Sequence, residues 1–196
     1  MWLGGHDILA KNYLRESMKT FNQNKNCSLV SGFPYGIYPE PGKLSWTRPK
    51  KVDSAIYDFS QDSNLHRYLY SVSKLSNCTI FHSVFEKNLL ENFNWTHCPS
   101  MDHIIISHLL WYGKHCYVPS AYVRRYFGQE DRERKIRNGA YDKNQKFFES
   151  YLEDFRIVCS GAMSTEFINA LQQEVFSLLV KRYGIPNISN NSARCC

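Results

Sequence analysis

The chain has no long apolar stretch. Its strongest runs, Ile104-Ile105-Ile106 and Leu109-Leu110-Trp111, are interrupted by Ser107 and His108, well short of the roughly 20 residues a membrane-spanning helix needs. A secretory leader is not expected, because Met1 runs into a glycine turn and not into a basic stretch followed by an apolar one. No C-x-x-C, no glycine-rich phosphate loop and no Gly-x-Ser-x-Gly elbow occurs, and the last two absences argue against mononucleotide loops and serine hydrolases. His103 and His108 stand too far apart for the i, i+4 pair of a helical zinc hydrolase and have no glutamate between them in that role. The seven cysteines form an odd set without paired spacing, and Cys195 and Cys196 are adjacent. Reduced thiols in a cytoplasmic protein are therefore expected.

With 196 residues and 43% hydrophobic content the chain can bury one core, and 15% aromatic and 21% charged residues are those of a globular protein. A formal charge of +6 suits an anionic partner without naming one.

The first dozen residues organise the rest. Met1–Leu3 reads as the end of a buried strand, and Gly4-Gly5 as a turn presenting His6 and Asp7, two metal-capable side chains. Ala10 to Asn22 is expected to be helical, with Leu14, Met18 and Phe21 on its inner face. Cys27–Phe33 reads as a strand, and the prolines and glycines of 34–53 as a surface loop. Further along, a helix is expected over Gln61–Leu75 with Leu65, Tyr68, Leu69 and Val72 inward, then a strand at Thr79–Ser83 and a helix at Val84–Glu91. After an irregular stretch, Met101–Tyr112 reads as an apolar helix with Asp102 in its first turn and Gly113 at its end. His115–Pro119 reads as a strand and Tyr122–Phe127 as another extended segment. The remainder is expected to be helical: a charged piece at Arg132–Arg137, Asn144–Val158, and Thr165–Tyr183 with Phe167, Ile168, Leu171, Val175, Leu178 and Leu179 on one face.

The series Trp-Leu-Gly-Gly-His-Asp-Ile-Leu, Ile-Phe-His-Ser, Ser-Met-Asp-His, Leu-Trp-Tyr-Gly-Lys, Tyr-Val-Pro and Val-Arg-Arg-Tyr, in that order, resembles the back half of family 2 glycosyltransferases. Those are inverting, nucleotide-sugar-dependent enzymes of the GT-A fold. The resemblance implies an α/β, Rossmann-like mixed sheet over 1–127, lacking the family's N-terminal nucleotide-binding half. A C-terminal helical extension over 128–184 and a flexible tail over 185–196 would follow. It also implies that the chain is a fragment of a longer transferase. By the same resemblance Asp102 falls on the catalytic base. Trp2, Gly5, His6, Asp7 and Arg124 fall on the donor site, with His6 and Asp7 at the metal and diphosphate.

The resemblance has departures. Gly4 replaces the first acid of the metal motif, and His6 replaces another. An imidazole beside a carboxylate tilts the cation from Mg²⁺ toward Mn²⁺. Read by themselves, Asp102 and Asp7 are equally helix caps, His6 a turn histidine and Arg125 a solvated base. Trp95 is a candidate for stacking a sugar ring, whereas Trp111 on an apolar helix is a core residue. The expected function is transfer of a sugar from a nucleotide-sugar to a surface-glycan, lipopolysaccharide or capsule precursor. The expected partners are the donor, a glycan or lipid-linked acceptor, and a peripheral contact at the inner membrane face through the basic C-terminal helices. The rival classes are a non-catalytic remnant and a basic nucleic-acid- or membrane-binding module. Nucleic acid is not expected, because Glu130, Asp131, Glu133 and Asp142 interleave with the bases of Arg124–Lys146.

Overall fold

The computed structural model describes residues 1–2, 8–37, 50–53, 56–75, 78–98, 100–126 and 145–184, with side chains to Arg124 in the last strand. The charged helical piece expected at 132–137 and the tail expected after Gly184 lie outside these. The architecture is mixed α/β. In chain order the elements are β1 (Ile8–Leu9), α1 (Tyr13–Gln23), β2 (Cys27–Ile37), β3 (Lys50–Lys51), α2 (Asn64–Lys74), two 3-10 turns (Thr79–His82 and Lys87–Leu90), α3 (Met101–Tyr112), β4 (Lys114–Tyr126), α4 (Gln145–Cys159) and α5 (Thr165–Tyr183).

The sheet order is β1-β4-β2-β3. The two long strands, β2 and β4, run parallel, and the short β1 and β3 are antiparallel additions at the edges. A parallel pair needs a long crossover, and α2, the 3-10 turns and α3 supply it. The β2–β4 register jumps from Gly32↔Val118 to Phe33↔Tyr122. Pro119, Ser120 and Ala121 thus bulge out of the ladder at the residue that has no N–H to give it. The bulge is anchored by Asn12, whose amide donates to Ser120 O at 3.0 Å. Strand β4 is therefore one continuous element, and the break expected after Pro119 is only this bulge. Gly32 is required there: a Cβ would lie 2.6 Å from the Ala121 carbonyl carbon.

Helix α1 covers one sheet face, where Tyr13 packs with Val30, Val118 and Val123. Its inward residues are Tyr13 and Ser17, while Leu14 and Met18 are 53% and 45% exposed. Of the expected face Phe21 does pack inward, while Leu14 and Met18 do not; the buried position is Tyr13, whose Oη donates to His82 O at 2.9 Å. Leu29, one residue from Val30 and so on the other face, joins the larger core built by α2, α3, α4 and α5. Ile104–Trp111 of α3 is buried on all sides, as expected of a helix that is apolar all round.

Several expectations are corrected here. Trp2 is not in a strand, and the first strand among the described residues is Ile8–Leu9. Thr79–His82 is a 3-10 turn, not a strand. Val84 makes a single bridge to Val30, and only Lys87–Leu90 of the helix expected over 84–91 forms, as one 3-10 turn. Phe167 of α5 is 52% exposed, while Ile168, Val175 and Leu179 are buried. Cys27 and Cys116 are joined in a disulfide between neighbouring strands, against the expectation of reduced thiols; Cys78, Cys98 and Cys159 are buried and lie outside that bond.

Buried Arg67 fastens α2 to the end of α3. Its Nε donates to Leu110 O at 2.8 Å, Nη1 to Gln61 O and Asp62 O, and Nη2 to Asn64 Oδ1 and Trp111 O. Burial draws the guanidinium down from its usual range, with Asp62 opposing, yet an arginine keeps its charge in any such setting. Two of these acceptors are C-terminal helix carbonyls that have no partner within their own helix.

Candidate functional site at the opening of helix α3

Helix α3 begins after Ser100, whose φ of 55° places it in the left-handed region that residues other than glycine seldom occupy. The Ser100 side chain makes no cap bond to the helix. The His103 N–H is shared between Ser100 O at 3.0 Å and Asp102 Oδ1 at 3.1 Å. A carboxylate in the first turn also meets the positive end of the helix dipole. Asp102 is half-buried, as is His103.

His103 is held from three helices. Its ring Nδ1 lies 3.0 Å from Tyr183 Oη of α5. Its carbonyl accepts from Ser107 Oγ at 3.1 Å and from Tyr151 Oη of α4 at 3.2 Å. Cys78 enters from the residue before the first 3-10 turn, and ligand-capable atoms of Cys78, Asp102 and His103 lie within 4.8 Å of one another. Burial raises the nearby Cys98 thiol against a Ser150 hydrogen bond and the Lys146 charge, and Asp102 adds to the rise. The opening of α3 thus gathers a carboxylate, an imidazole and a thiol beside a strained turn, an arrangement that recurs at functional positions.

The other residues singled out in the sequence are dispersed. Gly5, His6 and Asp7 lie outside the described residues. Trp2 stacks on Phe81 with ring centroids 4.5 Å apart and meets Trp95 edge-on, while its carbonyl accepts from His82 Nδ1 at 2.9 Å. Trp95 is 55% exposed and Trp111 is core. Arg124 Nη2 donates to Tyr122 Oη at 3.0 Å, with the guanidinium 4.9 Å from that ring. Ile8, the residue after Asp7, is the antiparallel partner of Arg124.

Sequence reasoning missed two polar assemblies. In the first, buried Asp154 takes His108 Nδ1 at 2.6 Å on Oδ1 and the Tyr68 hydroxyl at 2.9 Å on Oδ2, while His108 Nε2 lies 2.9 Å from Leu89 O. A carbonyl only accepts, so Nε2 carries a hydrogen and one further proton is shared between Nδ1 and the carboxylate. Burial raises the Asp154 carboxyl, against the pull of His108 and Tyr68. Both side chains are essentially inaccessible, so this triad holds helices together and does not meet a substrate.

In the second, His115 Nε2 meets Ser31 Oγ at 2.8 Å across the parallel strands, and its Nδ1 has no partner among the described residues. Burial pushes the imidazole from 6.5 to about 3. The folded protein then stays neutral at His115 where the unfolded chain protonates. The stability this provides is complete above pH 6.5 and is lost as the pH falls toward about 3. The slope should approach about 1.4 kcal/mol per pH unit in that window. Urea unfolding at a series of pH values should show a shallower acid limb for His115→Gln than for the parent; identical limbs would exclude the histidine as its cause.

Comparison with protein-family models, with curated proteins and with solved structures finds no match to this chain.

Proposed function

We propose that the chain carries the acceptor-side part of an inverting, nucleotide-sugar-dependent glycosyltransferase, with Asp102 as the base. One observation supports this reading above the others. The β1–β4 pairing sets Ile8, next to Asp7, against Arg124, so two stretches more than a hundred residues apart, each nominated for the donor diphosphate, are neighbours. The sequence helix, glycine, strand that the resemblance implies also occurs in order at α3, Gly113 and β4.

In the proposed reaction the acceptor hydroxyl gives its proton to the Asp102 carboxylate. Its oxygen bonds to the anomeric carbon as the bond to the nucleotide phosphate breaks, and the nucleotide leaves with that electron pair. Arg124, one of whose five donors already goes to Tyr122, would pair with the departing phosphate. The carboxylate and imidazole of Asp7 and His6 suit Mn²⁺ or Mg²⁺, which would add positive charge there. In this reading the acceptor is a glycan or lipid-linked precursor.

The test is thermal-shift titration with UDP, GDP, CMP and dTDP nucleotides, with and without Mn²⁺. One nucleotide at about a hundred times its Kd should stabilise by about 2.7 kcal/mol, a rise of roughly 5–10 °C for a chain of this size. Asp102→Asn should keep that shift and lose transfer by roughly 10²–10⁴-fold. Cooperative melting that no nucleotide moves would end the proposal.

A further inference from the structure

We propose that Cys78, Asp102 and His103 form a binding site for a borderline-soft divalent cation, zinc foremost. The three donors come from two separate segments, the residue before the first 3-10 turn and the first turn of α3, and they converge within 4.8 Å. A tetrahedral zinc ion with bonds of about 2.0–2.3 Å sets its ligand atoms roughly 3.3–3.8 Å apart, so a contraction of about 1 Å completes the set. A thiolate with an imidazole and one carboxylate selects zinc or cobalt over Mg²⁺ and Mn²⁺, which prefer all-oxygen surroundings.

The surroundings resemble an outer shell that fixes a ligand. Tyr183 Oη stands 3.0 Å from His103 Nδ1, as outer-shell partners stand beside the second nitrogen of metal-bound histidines. With that contact kept, Nε2 is the nitrogen that takes the metal. Ser107 and Tyr151 hold the His103 carbonyl, and Cys78 is buried, so two of the three donors are already fixed on packed elements. Three protein ligands leave one position for water, the pattern of an open zinc site.

This site uses neither His6 nor Asp7. It shares Asp102 with the proposed base, so bound zinc and proton transfer would compete for one carboxylate. Metal binding is read without any transfer assay, and it stands or falls separately from the glycosyltransferase reading.

The experiment is titration of the chelator-treated full chain with Co²⁺. The expected result is about one equivalent bound, with the visible bands of a four-coordinate ion and a near-ultraviolet thiolate-to-cobalt band, both erased by Zn²⁺. Cys78→Ser should abolish the thiolate band. His103→Gln should retain the band but weaken binding tenfold or more, and Tyr183→Phe should weaken it about tenfold. His6→Ala/Asp7→Ala should bind as the parent does. Circular dichroism verifies that each variant is folded; if Cys78→Ser is not, His103→Gln and Asp102→Asn decide by their affinities. Absence of a thiolate band in the parent, its survival in folded Cys78→Ser, or parent-like affinity in His103→Gln and Asp102→Asn would each overturn the proposal.

Discussion

Replacing Asp154 with alanine is expected to lower stability by about 3–5 kcal/mol, which for a chain of this size is a fall in Tm of roughly 6–20 °C. The carboxylate is the acceptor for both His108 Nδ1 and the Tyr68 hydroxyl, and all three side chains are buried. Truncation leaves His108 Nδ1 without its partner and the Tyr68 hydroxyl with only the longer contact to Tyr151 O at 3.4 Å, and the desolvation of such groups is what makes one-sided removal severe. It also severs one of two polar ties among the described residues that link α2, α3 and α4 through one side chain, the other being Ser107, whose Oγ meets Ser71 Oγ at 2.7 Å and Tyr151 Oη at 2.6 Å. The neighbouring Glu153 provides the control. It pairs with Arg156 at the surface at 2.6 Å, and Glu153→Ala should change stability by no more than about 0.5 kcal/mol. Equal melting temperatures for the two variants would show that the triad contributes no net stability.

Reduction of the Cys27–Cys116 bond is expected to be nearly as costly. The bond closes a loop with a sequence separation of 89 residues, and loops of that length correspond to about 4.6 kcal/mol of restricted unfolded-chain entropy. In the folded state it joins β2 and β4 where the parallel ladder begins, beside the Cys27↔Lys114 pair. Reductant should therefore lower the Tm of the parent and leave that of Cys27→Ser where it is. Cys159→Ser should keep the parent's sensitivity, because Cys159 is a free buried thiol. Peptide mapping of the alkylated, unreduced chain should recover the fragments containing Cys27 and Cys116 as one species. Separate fragments and a reductant-insensitive Tm would mean that the two cysteines stay reduced in solution.

The elements most legible in the sequence are those where several local signals agree. Helix α3 has the bounds read from its apolar run, Asp102 and Gly113, and α5 has those read from its periodicity, with Ser164 capping Phe167 N–H at 3.3 Å. The misreadings come from forces that periodicity does not count. At Thr79–His82 a β-branched, aromatic run reads as a strand, but the segment coils into a 3-10 turn whose His82 carbonyl accepts from Tyr13. On α1 an exposed leucine and methionine looked like the inner face because buried tyrosine and serine do not register as apolar. Arg67 and Asp154, a guanidinium and a carboxylate on amphipathic helices, gave no sign in the sequence of being interior. The disulfide had no spacing signature, since its partners meet only through strand register. At the candidate site, the place of Asp102 in the first turn of α3 was legible from helix chemistry, whereas Cys78 and Tyr183 reach it only through tertiary packing.

Arg67 gives the two central helices the character of an indexed joint. Its planar fork reaches the Leu110 and Trp111 carbonyls at the end of α3 while gripping the backbone that leads into α2. A shift of α3 by one turn, about 5.4 Å, would carry both carbonyls out of reach and strand a buried charge. The α2–α3 contact therefore has one engaged setting and no graded ones. Neutral drift at position 67 is closed off as well: a lysine cannot reproduce the fork, and an apolar residue would leave the end of α3 uncapped. Motion that opens the site at Asp102 is then left to the 3-10 turns, α4 and α5, with α2 and α3 moving as one body.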